Sequence, residues 1–235
     1  MIATLPHVGQ AELHRQDTTA TGRERLAGLL SLPEVFGDGP CDRFVAEDVP
    51  LYASPEAPSA GAIRVVTPWT FPPEGGCQGL EVHARRSEAE TPLPLPVEEF
   101  EYESVGAIVL EQRGRWFRVR LADGSAWLRA TERDRFHPLE RLLKDGLTYL
   151  TSDWDRQLSS QPAGRVRKAR VAGQAETSVR VIRSTLANGE LWLYVEVMSH
   201  SGCEGGDEPR VVDRGWVPAQ GPSGLRVIWF YSRGC

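Results

Sequence analysis

The chain has 235 residues, 27 basic and 32 acidic side chains, a formal charge of −5, 40% hydrophobic residues and seven tryptophans. A chain of this size with that apolar content buries on the order of 70% of its unfolded surface, so a mostly disordered chain is not expected, although the polar residues 1–20 read as loose. The acidic balance disfavours nucleic acid and anionic membrane surfaces as partners, and no run reaches the ~18 apolar residues of a transmembrane helix.

The opening, MIATLPHVGQAELHRQ, lacks the unbroken apolar run of a signal peptide. It reads either as the start of a cytoplasmic protein or as a chain whose signal has been removed. TGRERLAGLLSLPEVF then sets Leu26, Leu29 and Leu30 on one helical face, with Thr21 as N-cap and Pro33 as the stop. The expectation is an N-terminal segment over 1–40 with one short helix.

From Cys41 short runs of valine, leucine and aromatics alternate with Gly, Pro, Asp and Asn turns, the pattern of a small β barrel or sandwich. In GAIVLEQRGRWFRVRLADGSAWLRA, Trp116, Val119 and Leu121 fall into a period-two register, with Arg118 and Arg120 on the other face. Asp123-Gly124 makes a hairpin turn, and Trp127 begins the next strand. A long insertion separates Gly61 from Val105; it holds Cys77 and the Pro- and Glu-rich SEAETPLPLPVEEFE, which reads as an extended loop. In RFHPLERLLKDGLTYLT, Pro138 suits a helix first turn, Leu139, Leu142 and Leu143 form an apolar face, and Gly146 is the stop. That makes 132–150 a helical linker.

The second half repeats the first. TSVRVIRSTLANGELWLYVEV sets Trp192, Tyr194 and Val195 where the first unit has WFRVRL, after a turn at Asn188-Gly189. RGWVPA supplies Gly215-Trp216 where the first has SAW, and DVPLYASPEAPSAG resembles DWDRQLSSQPAG. Repetition implies two related units, 41–131 and 151–235. The run RVRKAR, Arg165 to Arg170, reads as the solvated face of an edge strand. The tail, WFYSRGC, is too apolar to leave in water and is expected as a final strand of the second unit.

The four cysteines allow three pairings, and none forms a CxxC motif. The local pairing, Cys41 with Cys77 and Cys203 with Cys235, closes loops of roughly 35 residues and stabilises by ~3–4 kcal/mol in the chain-entropy model. Disulfides require an oxidising compartment; four free thiols would place the chain in a reducing one.

The titratable residues form no catalytic set. His83 lies six residues past Cys77 and His200 three before Cys203, but Cys-His catalysis needs an activated thiolate, and both cysteines serve better as bridges. HSGC lacks metal-ligand companions, Asp153 and Asp155 suit a turn, and no phosphate loop follows a strand. No metal, cofactor or enzyme activity is expected. Trp116, Trp127, Trp192 and Trp216 read as core, whereas Tyr52, Trp69, Tyr102 and Tyr231 are candidates for an aromatic, peptide-binding groove.

The repeated pattern, VPLYASP then V-x-V then W-x-x-V-x-L-x-D-G-x-x-W, resembles bacterial SH3-like (SH3b) domains. Val49, Pro50, Leu51, Tyr52, Ser54 and Pro55 match the opening strand and loop, and Trp116, Val119, Leu121, Asp123, Gly124 and Trp127 the central hairpin. Leu158, Pro162, Trp192, Val195, Gly215, Trp216 and Val217 do the same in the second unit. The resemblance covers roughly 45–131 and 147–219. It implies a mainly β fold of two small antiparallel SH3-like barrels with short linking helices, in an exported, periplasmic or secreted protein that binds an envelope peptide or a protein partner. The alternative is an inhibitor or immunity protein that blocks an enzyme with its inserted loops.

Overall fold

The computed structural model describes residues 24–36, 48–67, 81–102, 104–171 and 176–233, and the chain is mainly β, with an antiparallel sheet curled into a half-barrel. The first half forms β1 (Gly28–Ser31), α1 (Pro33–Phe36), β2 (Val49–Tyr52), β3 (Ser59–Thr67), β4 (Glu81–Arg85) and β5 (Leu93–Pro94). It continues through β6 (Val97–Glu101), β7 (Ser104–Arg113), β8 (Trp116–Leu121), β9 (Gly124–Arg129) and β10 (Arg135–Pro138). After α2 (Leu139–Asp145) come β11 (Leu147–Leu150), β12 (Gln157–Ser159), β13 (Val166–Lys168) and β14 (Thr177–Ala187). β15 (Glu190–Met198), β16 (Val211–Pro218) and β17 (Ile228–Tyr231) complete the chain. Two compact units result. Ser31–Val97 and Ala107–Arg135 make the first; the stretch ending at Leu30, Glu98–Gly106 and the chain from Phe136 make the second.

The two sheets repeat one another strand for strand. One runs β10-β1-β7-β8-β9-β2-β3 and continues into β4-β5; the other runs β17-β11-β14-β15-β16-β12-β13. Taken in chain order, each strand of the second replaces one of the first. The register agrees too. Arg118 faces Trp127 as Tyr194 faces Trp216, and Val119 faces Ala126 as Val195 faces Gly215. A bulge falls between Val109 and Glu111 in one sheet and between Val181 and Arg183 in the other. Loop hydrogen bonds correspond as well: Ala130 N–H to Arg115 C=O and Ala219 N–H to Leu191 C=O, or Ala57 to Ser54 and Gly164 to Gln161. The insertion, β4 to β6, has no counterpart in the second sheet.

Several local expectations need correction. The helix expected from Thr21 to Pro33 is absent from the described part of that span, which holds an irregular stretch and β1; its N-cap, Thr21, lies outside the described residues. Leu29 and Leu30 are neighbours and both fully buried, as in a strand covered on two faces, and so short an apolar run does not separate strand from helical turn. Pro33 opens α1 rather than ending a helix, where its missing N–H costs nothing. In β8 the core residues are Phe117, Val119 and Leu121, so Trp116 stands on the Arg118 and Arg120 face. Leu121 pairs with Gly124, so the hairpin loop is Ala122-Asp123. SEAETPLPLPVEEFE contributes β5 and the whole of β6 instead of remaining a loop.

Other expectations correspond to what is seen. Asn188 and Gly189, φ 53 and 70, form the two-residue turn between β14 and β15. In α2, Leu139 and Leu143 are buried and Pro138 is the N-cap, while Gly146 has an extended backbone that leads directly into β11. β13 is a sheet edge with all three residues exposed. Gly215 explains the Gly-Trp pair of the second unit: a Cβ there would meet Leu158 Cβ at 2.7 Å. Among the described residues no helix is long and apolar enough to cross a membrane.

Candidate functional site

The start of the tail lies in β17, and its alternation builds an aromatic face. On β17, Ile228 and Phe230 point into the core of the second unit while Trp229 and Tyr231 occupy the opposite face. β11 lies alongside, antiparallel, pairing Leu147 with Tyr231 and Tyr149 with Trp229. With a period of two, Leu147, Tyr149, Trp229 and Tyr231 therefore share one face. Tyr149 and Tyr231 stack at 4.4 Å between ring centres, tilted by 31°. The guanidinium of Arg226 covers the Trp229 ring at 3.9 Å.

Charged groups frame this face. Arg226 pairs with Glu98. Glu99 accepts from the Ser232 hydroxyl at 3.0 Å and from Arg233 Nε at 3.0 Å, and the Arg233 guanidinium stands over Tyr102 at 5.4 Å. The Tyr231 hydroxyl donates to Glu176 at 2.9 Å. Burial first, then the bond to Glu176, pushes the Tyr231 phenol up to about 12, and burial with the Glu176 charge raises Tyr149 as well. Both phenols stay protonated, so the face offers neutral rings with hydroxyl edges. Leu147 is 44% exposed, Tyr231 37% and Tyr102 62%.

Of the four ligand-binding candidates, Tyr231 lies in this face, and Tyr102 lies under the guanidinium of Arg233, two residues further along the chain. Tyr52 lies in the first unit, packed edge-on against Trp116 at 5.0 Å and paired with Trp127. Trp69 lies outside the described residues. Trp127, Trp192 and Trp216 are buried, but on the outer sides of their sheets. Arg113 covers Trp127, and Arg183 covers Tyr194 and Trp216. Tyr149, Trp229, Arg226 and Arg233 were not among the candidates. For Tyr149 the signal is the alternation in LTYL, within the stretch 132–150.

Cys203 is disulfide-bonded; Cys41, Cys77 and Cys235 lie outside the described residues, and so do the Cys41–Cys77 and Cys203–Cys235 pairings. His200 is held by the Ser199 hydroxyl at 2.9 Å and the Asp207 carbonyl at 2.8 Å. Asp155 accepts from the Gln157 N–H at 2.9 Å, closing a turn. Among the described residues no group of three His, Cys, Asp or Glu side chains is placed to hold a metal ion. Compared with known protein families, curated proteins and solved structures, the chain matches none.

Proposed function

We propose that this chain is a non-enzymatic binding protein of the bacterial envelope, periplasmic or secreted, built from two SH3-like units. It recognises an extended peptide, or a peptide segment of a protein partner, on the face made by Tyr149 and Tyr231, with Tyr102 beside Arg233 at its border. The observation that carries the reading is the tyrosine face on a sheet's last strand, where Leu147 and Tyr231 are exposed and Trp229 lies buried beneath Arg226, with arginines and carboxylates at its border. Aromatic grooves on small barrels bind extended peptides in this way, and tyrosine supplies contact area at low entropic cost. The repeated strand order and register support two related small sheets. A disulfide at Cys203 favours an oxidising compartment.

Selection of binders from a displayed library of extended peptides, including peptidoglycan stem peptides, tests it. Binders should lose at least roughly ten-fold in affinity with Tyr231→Ala plus Tyr102→Ala, the effect of removing anchor residues. Peptides that bind the variant as tightly as the parent would place recognition elsewhere.

A further inference from the structure

The insertion carried by the first sheet alone builds a cleft against the β8–β9 turn, entirely within the first unit. Its volume is about 320 Å³, and its walls include Ala84, Arg86, Glu90, Leu93, Leu121 and Asp123. In the second sheet the strand equivalent to β3 is β13, a bare edge. The cleft therefore belongs to the insertion and not to the repeated fold.

Its electrostatics are asymmetric. Arg86 is the most buried of its three charged groups, its side chain 12% exposed, against 38% for Glu90 and 46% for Asp123. Glu90 accepts from Arg86 Nε at 3.2 Å and Nη2 at 3.1 Å, and from its backbone N–H at 3.1 Å. Asp123 accepts from Nη2 at 2.8 Å. One guanidinium thus answers two carboxylates, with the cation inside and the anions at the rim. A group entering the cleft meets the surplus negative charge first. Leu121 and Ala84 are buried, and Leu93 is an apolar side chain 40% exposed.

We propose that this cleft binds a basic amino-acid side chain. The aliphatic stem of a lysine or arginine lies on Leu93 and Leu121, and its charged head stays at the rim between Glu90 and Asp123. Stems of this kind pack on apolar surface while their heads remain near water, and a cleft of ~300 Å³ is at the small end of ligand sites. The assignment does not depend on the aromatic face of the second unit.

The test is an NMR titration of the full chain with Nα-acetyl-arginine amide, Nα-acetyl-norleucine amide and Nα-acetyl-glutamate amide. The basic probe should shift the amides of Thr91, Ala122 and Asp123 saturably, and the other two should not. Asp123→Asn should weaken the basic probe by roughly ten-fold, the loss of one charge-assisted hydrogen bond. Because that variant also disturbs Arg86, the unmodified chain is titrated at low and high salt as well, and affinity should fall with salt. Equal shifts from norleucine, stronger binding of the acidic probe, salt-independent affinity, or no shift from any probe would each overturn the assignment.

Discussion

The guanidinium of Arg226 lies 3.9 Å from the centre of the Trp229 ring and at the same time pairs with Glu98. Trp229 is on the outer side of β17, yet it is only 9% exposed. Its cover is that arginine. Arg226→Ala should uncover the indole and cost about 1–2 kcal/mol, combining a partly desolvated cation–π contact with a part-buried ion pair. Urea unfolding measures the cost. A red shift in tryptophan emission that disappears in a Trp229→Phe background would assign it.

Tyr231 makes the face sensitive to alkali. Its folded pKa is raised to about 12, above the ordinary value near 10. A raised pKa means that the contribution is whole below about pH 10 and is lost as pH climbs through the folded value. The full difference would be worth ~2.7 kcal/mol, but Tyr231 is 37% exposed, and solvent screening reduces this to ~1 kcal/mol. Absorbance titration should show a late phenolate step that Tyr231→Phe removes.

Asp213 works at the other end of the scale. Its carboxylate accepts from Arg167 at 2.6 and 2.9 Å and from the N–H groups of Arg170 and Arg214 at 2.8 Å each. Chiefly through Arg167, its carboxyl is held well below the usual range. The stabilisation is therefore whole above the unfolded value near 3.9 and lost as pH falls below it towards the folded one. Asp213→Asn should cost about 1–2 kcal/mol at neutral pH, because the side chain is 7% exposed while Arg167 is half exposed. Thermal melts at decreasing pH should show variant and parent converging.

The repeat makes a paired prediction. Gly215 and Ala126 occupy equivalent positions, facing Val195 and Val119. Gly215→Ala should cost about 1–3 kcal/mol, since the new Cβ would crowd Leu158. Ala126→Gly should cost less, about 0.5–1 kcal/mol, from chain entropy. Denaturant midpoints of the two variants decide it.

Much of the repeat was legible because its markers are local. Alternation in β8 and β15, the Asn188-Gly189 turn and the Trp127 and Trp216 positions each act within a few residues. The ends of the repeat were not legible. β1 (GLLS) and β11 (LTYL), like β10 (RFHP) and β17 (IWFY), share no residue pattern, and only their place in the sheets makes them equivalent. The aromatic site suffered for the same reason. Tyr102 and Tyr231 could be singled out as uncommitted tyrosines, but Arg233, which covers Tyr102, and its partner Glu99 are 134 residues apart.

The amino-acid sequence by itself determined a mainly β chain, an internal duplication, the turn and helix at 138–146, and a tail too apolar to fray. These follow from periodicity and from residues whose backbone preferences act where they stand. Tertiary structure alone decided which face each strand presents, as with Phe117 in the core and Trp116 outside it. It also decided that β17 lies beside β11 so that their tyrosines stack, and that Arg86 sinks between Glu90 and Asp123. Those outcomes depend on partners distant in the chain. Strand pairing and burial choose among locally equivalent conformations, and no local preference encodes that choice.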